Sequence, residues 1–169
     1  MESFKSFLTE KKIRKQAFSR FPKLGWWMDN DPITFFHGTH IRNIGWVEAN
    51  GLVPPKEGYT AGIVSLALEP NTAWGYASMS GAGGEAEFRS AGQKVTTTSQ
   101  KERVVFVLEI PKSYILKKML PLNYATSVKL NDKAEYDKWT KDDQLFYALT
   151  EVKHKGAVPS KYIKAYMTK

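Results

Sequence analysis

Short apolar runs, each closed by a charge, a glycine or a proline, divide this chain into strand-sized pieces. The clearest is Val104-Val105-Phe106-Val107-Leu108-Glu109-Ile110, held between Arg103 and Pro111, whose β-branched and aromatic content predicts a strand over 103–110. Ile33-Thr34-Phe35-Phe36-His37 predicts another, entered through the turn-forming residues Asp29-Asn30-Asp31-Pro32. Gly62-Ile63-Val64-Ser65-Leu66-Ala67 predicts a third over 63–67, two closing strands fall near 150–154 and 163–168, and 115–122 and 125–130 read as strand-like. Helical spacing appears in fewer places. Residues 41–50 read as a helix stopped by Gly51, and Glu69-Pro70-Asn71-Thr72 opens another with proline at an early position, where its missing N–H is harmless. Tyr136, Trp139, Leu145, Phe146 and Leu149 mark 132–149 as helix or helix-turn, and Phe4, Phe7, Leu8 and Ile13 mark 1–21 as one amphipathic helix. Between Ser78 and Gln100 the chain turns to Gly, Ser, Thr and Ala, which cannot supply a core and predicts a flexible insertion at about 79–101.

Several strands separated by only two or three helices, with consecutive strands at the end, predict an α+β domain and not a doubly wound one. The 169 residues, 42% of them apolar, suit a single core. The expected organisation is an N-terminal amphipathic helix and turn over 1–28, then one domain over 29–169. No cysteine is present, which removes disulfides and thiolate catalysis and, with three histidines, makes a metal centre an unpromising expectation. No apolar run is long enough to cross a bilayer and no secretory leader is evident, so the expectation is a monomer in the cytoplasm, away from membranes. A net charge of +8 suits an acidic partner such as nucleic acid, a phosphate-bearing cofactor or an acidic protein surface, and equally a solvated basic face.

The candidate chemistry lies in three pieces. His37-Gly38-Thr39 ends the first core strand. Gly62 to Ala67 is followed by Ala73-Trp74-Gly75-Tyr76-Ala77. Thr150-Glu151-Val152 precedes Gly156-Ala157-Val158-Pro159 and Tyr162-Ile163. In this order the pieces resemble the core of ADP-ribosyltransferases of the histidine-tyrosine-glutamate class, to which diphtheria toxin and the poly(ADP-ribose) polymerases belong. There is no glycine fingerprint of the dinucleotide-binding type, since Gly81 to Gly84 follows a helix with the wrong spacing. The resemblance implies a split β-sandwich with a few flanking helices and NAD as the substrate cleaved.

It also implies roles. His37 would bond a ribose hydroxyl, and the backbone of Gly38 would pair with the nicotinamide carboxamide where no Cβ intervenes. Thr39 completes the motif. Tyr76 would stack on the nicotinamide, while Ser65 stands where the first stacking aromatic of the family is expected. Loss of one ring face costs about 1–3 kcal/mol on the scale of base stacking, unless Tyr59 or Trp74 swings in. Glu151 would be the catalytic carboxylate, stabilising positive charge on the ribose as the glycosidic bond breaks. Glu109, inside an apolar strand, has no matching context.

The acceptor follows less directly. Leu149 stands where arginine-modifying relatives carry a second acidic or amide residue, which disfavours arginine. Residues 131–148 would recognise the acceptor, a protein or a nucleic acid, and a small molecule fits the likeness of Phe36-His37-Gly38-Thr39 to rifamycin-modifying relatives. Met1 to Leu8 resembles N-terminal segments of tailed-phage proteins packaged in the capsid, which suits a phage effector acting in a host cytoplasm. Two other readings stand beside this one: an RNA 2′-phosphotransferase, for which the chain is poor in arginine and histidine, and a basic binding module on the same fold without catalysis.

Overall fold

The structure, a computed structural model, describes residues 13–17, 30–58, 60–79, 99–122, 133–146, 148 and 150–169. The predicted insertion at 79–101 and the strand-like piece at 125–130 fall almost wholly outside these residues, as does most of the N-terminal segment.

Among the described residues six strands make one mixed sheet: β1 (Arg14–Ala17), β2 (Ile33–His40), β3 (Ile63–Ala67), β4 (Arg103–Ile110), β5 (Glu151–Lys155) and β6 (Ile163–Thr168), in the order β1-β6-β4-β2-β3-β5. Only β1 and β6 are parallel; every other neighbour pair is antiparallel. The class is therefore α+β, as the pattern predicts. Three strands begin and end where the apolar runs do, at 63–67, 103–110 and 163–168. The first core strand extends three residues past His37, because Gly38, Thr39 and His40 continue the ladder with Val105, Val104 and Arg103.

Two expectations are corrected. Arg14–Ala17 is not helix but an edge strand, held by parallel pairing from Arg14↔Ala165 to Ala17↔Thr168, so this part of the N-terminal segment belongs to the sheet of the main domain. Residues 115–122 are not a strand. Helix α3 (Lys112–Lys118) covers their start, after which Met119 makes an isolated bridge to His154. Ile115 and Met119 lie four apart, and a four-residue spacing brings both to one helical face, where they are buried.

The strand alternation sorts side chains to two faces. Ile33, Phe35, Val64, Leu66, Val104, Phe106, Leu108 and Val152 point into the larger cluster. There they meet Val47 of α1 (Ile44–Asn50), Ile115 of α3 and Leu145 of α5 (Lys141–Phe146). A fourth short helix, α4 (Lys133–Tyr136), precedes α5. Phe36, Ala67, Val105, Val107, Ala165 and Met167 point the other way, under Ala73 and Trp74 of α2 (Pro70–Met79). Full burial of side chains such as Phe35, Phe36 and Phe106 is worth about 1.5–3 kcal/mol each, so both faces contribute to holding the sheet between the helices. Gly51 closes α1 with φ +76°, and a Cβ there would meet the Val158 carbonyl oxygen at 2.1 Å, so glycine is needed for both torsion and space.

Candidate functional site

The three sequence pieces meet where β2 joins β3. That join is narrow: the β2–β3 ladder consists of the single pair Phe36↔Ala67. On the other side of β3 the ladder to β5 is complete, from Ile63↔Lys155 to Ala67↔Glu151. Phe36, Ala67 and Glu151 therefore lie abreast, and with adjacent strands about 4.8 Å apart, Glu151 sits two strand spacings from β2.

Backbone orientation at the join follows from two hydrogen bonds. Leu68 N donates to Thr150 O at 3.0 Å, and Gly156 N donates to Gly62 O at 2.8 Å. Even-numbered residues of β3 thus turn their polar backbone groups to β5, and odd-numbered ones turn theirs to β2. The Ser65 carbonyl faces β2, where it accepts a hydrogen bond from His37 Nδ1 at 2.9 Å. A carbonyl can only accept, so Nδ1 carries the proton and Nε2 keeps its lone pair. Burial pushes the His37 pKa below its ordinary value, outweighing the upward pull of the Ser65 carbonyl. His37 is neutral at pH 7, with Nε2 an acceptor.

Gly38 has the backbone orientation of Phe36, toward β3, at a point where the β2–β3 ladder has ended. Its N–H and C=O face β3 without a ladder partner there. The space a Cβ would take is filled from the α2 side, since it would lie 1.7 Å from the Ala73 carbonyl oxygen and 3.0 Å from the Ala77 Cβ. The expected reason for glycine, approach of a ligand ring over this face, is replaced by approach of a helix backbone.

Thr39 Oγ1 accepts from Asn43 Nδ2 at 2.9 Å, tying β2 to the turn that leads into α1. Ser65 is half-buried and, by register, shares its sheet face with Ala67, Lys153 and Glu151.

Tyr76, on α2, is brought to Glu151. Its hydroxyl faces the Glu151 carboxylate and the Thr150 side chain. The tyrosine pKa is raised chiefly by burial, then by the adjacent negative charge and the hydrogen bond to Glu151. Thr150 was not singled out by the sequence; its position beside the candidate carboxylate was the available signal. Tyr76 thus lies beside the candidate carboxylate, where its negative charge reaches the phenol.

Trp74 does not replace the missing aromatic at Ser65. It is buried in the smaller cluster, with Arg103 at 5.7 Å and Lys169 at 5.1 Å from its ring centroid. Tyr59 lies outside the described residues. The pleat sends the His37 ring to the face opposite Phe36, whereas Glu151 and Tyr76 are on the α2 face.

Among the described residues no group of histidine, aspartate and glutamate side chains could hold a metal ion, and no helix is long and apolar enough to cross a membrane. Comparison of the sequence with protein-family models and with curated proteins finds no match to either.

Proposed function

We propose that this chain is a mono-ADP-ribosyltransferase that cleaves NAD and transfers ADP-ribose to a macromolecular acceptor, built on a split-sandwich version of the α+β fold. The observation that carries the reading is the register that puts Glu151, with Tyr76 beside it, in line across β3 with the strand carrying His37 and Gly38. The residues come from three separate stretches of sequence, and the register of β2, β3 and β5 brings Glu151 abreast of Phe36, next in sequence to His37.

Each residue has a physical task. Neutral His37, fixed by the Ser65 carbonyl, offers Nε2 as acceptor to a ribose hydroxyl. The Gly38 N–H and C=O are a donor and an acceptor side by side, the complement of a carboxamide. Glu151 opposes the positive charge that develops on the ribose as the bond to the nicotinamide nitrogen breaks and its electron pair moves into the ring. A carboxylate fixed beforehand by Tyr76 does this without reorganising. The new bond forms from a lone pair of the acceptor to the ribose carbon, and the acceptor proton leaves to solvent. The phage association and cytoplasmic action remain part of this proposal, resting on the likeness of Met1 to Leu8. Ser65, with no ring for the nicotinamide, favours a second reading in which the fold binds without catalysis.

Calorimetric titration with NAD separates the tasks. Wild type is expected to bind saturably, His37→Ala at least tenfold more weakly, and Glu151→Gln nearly as wild type, because the carboxylate acts mainly on the transition state. Absence of binding by the folded wild type at millimolar NAD overturns the reading.

A further inference from the structure

A second feature lies on the other side of the sheet from β5, where Pro32, Glu109, Pro111, Lys161, Tyr162 and Lys164 line an open groove of about 420 Å³. Its volume falls in the range of small-ligand sites. The two lysines and the glutamate converge on it without forming an ion pair with one another. Among the described residues, Lys161 and Lys164 have no carboxylate partner. Lys161 Nζ lies 5.0 Å from the centroid of the Tyr162 ring, and Lys164 Nζ donates to the Lys161 carbonyl at 3.2 Å. Charged groups left unpaired around one groove have their coordination completed by water or by a ligand.

The walls are of two kinds. Pro32, Pro111 and the half-buried Tyr162 ring are flat and apolar, and the Tyr162 ring is fixed by packing at 5.0 Å against Tyr114. The rim is cationic, and it continues onto the sheet edge, where exposed Arg14 and Lys15 of β1 pair in register with Ala165 and Tyr166, the residues that follow Lys164. A flat apolar floor beside a line of cations is the arrangement that takes a base on its face and the neighbouring phosphates on the rim. Glu109 adds a polar selector, because a carboxylate accepts from an exocyclic amino group, which cytosine has and thymine lacks.

We propose that this groove binds single-stranded nucleic acid, with a base against Pro32, Pro111 and Tyr162, its amino group on Glu109, and the adjoining phosphates on Lys161 and Lys164. The site is separate from the β2–β3 join, and it stands whether or not the chain cleaves NAD. Duplex is excluded, because a paired base offers no free face.

Fluorescence anisotropy with labelled 15-nucleotide oligo-dC and oligo-dT at pH 7.5 and several salt concentrations tests it. Wild type should bind oligo-dC more tightly than oligo-dT, and Glu109→Gln should erase that preference. Lys161→Ala/Lys164→Ala should weaken binding at least tenfold and make the slope of log affinity against log salt shallower by about 1.4, two phosphate contacts on a single strand. Lys56→Ala/Lys117→Ala removes the same charge elsewhere and should change affinity by less than twofold. Equal losses in the two double variants, no preference between the oligonucleotides, or equal competition by duplex overturns the proposal. Circular dichroism of each variant confirms that the fold is intact.

Discussion

Gly38→Ala is the most demanding single substitution for this account of the β2–α2 contact. An added Cβ would lie 1.7 Å from the Ala73 carbonyl oxygen and 2.7 Å from the Ala73 carbonyl carbon, both backbone atoms, and contacts under 3.0 Å are essentially never seen. No side chain can rotate away, so α2 must withdraw from β2 by about 1.3 Å. That motion loosens Ala73, Trp74 and Ala77 from the face carrying Phe36, Val105 and Val107. Overpacking by one methyl group commonly costs 1–3 kcal/mol, and rigid backbone on one side places this case at the upper end, about 3 kcal/mol. For a chain of this size that lowers the melting temperature by about 6–12 °C. Because Tyr76 rides on α2, the same withdrawal pulls its hydroxyl from Glu151, so NAD cleavage should fall as well. Gly75 is the internal control: it is exposed on the same helix, and a Cβ there meets nothing within 4 Å. Gly75→Ala should stabilise by about 0.5–1 kcal/mol through helix propensity alone. Thermal and urea denaturation of both variants decide the matter. A Gly38→Ala protein as stable as wild type would refute the close packing of α2 on β2.

Stability should also depend on pH through two histidines. His37 and His154 both have pKa values pushed below the ordinary 6.5, chiefly by burial, so the unfolded chain takes up protons that the native state refuses. Their contribution is full above about pH 6.5 and is lost as pH falls through their depressed native values. Urea melts from pH 7.5 to 5 should show this fall, and His154→Phe, which keeps a ring against Tyr114 and removes a buried Nε2 that has no partner among the described residues, should lessen the slope; a slope unchanged by the substitution would contradict it. Tyr76→Phe removes the hydroxyl between Thr150 and Glu151 and should cost about 0.5–1.5 kcal/mol of stability. Its nicotinamide release should drop at least tenfold, while a variant as active as wild type would show that Tyr76 does not position the carboxylate.

What the sequence disclosed follows the reach of its signals. Ile63–Ala67 and Arg103–Ile110 are legible to the residue because β-branched runs end at charges and breakers, and Gly51 is legible as a stop because its torsion suits few other residues. Helix α3 was hidden because Ile115, Leu116, Met119 and Leu120 read equally as a strand; Pro111 just before it and the Ile115–Met119 spacing were the quieter clues. Strand β1 has no local apolar signature at all, and its pairing partner lies some 150 residues away in β6. The site shows the same division. His37, Gly38 and Glu151 could be singled out by type and order, but the tasks of Gly38 and Tyr76 could not, because both depend on where α2 settles across the sheet. Thr39, singled out with its motif, also ties down a turn.

The central claim is tested most directly by incubating the protein with radiolabelled NAD, offering protein lysate, DNA and RNA separately, and following nicotinamide release and label transfer. The account predicts release by wild type, transfer to one class of acceptor, and loss of both in Glu151→Gln with the fold retained. No release from folded wild type under any condition, or equal release by Glu151→Gln, would contradict it.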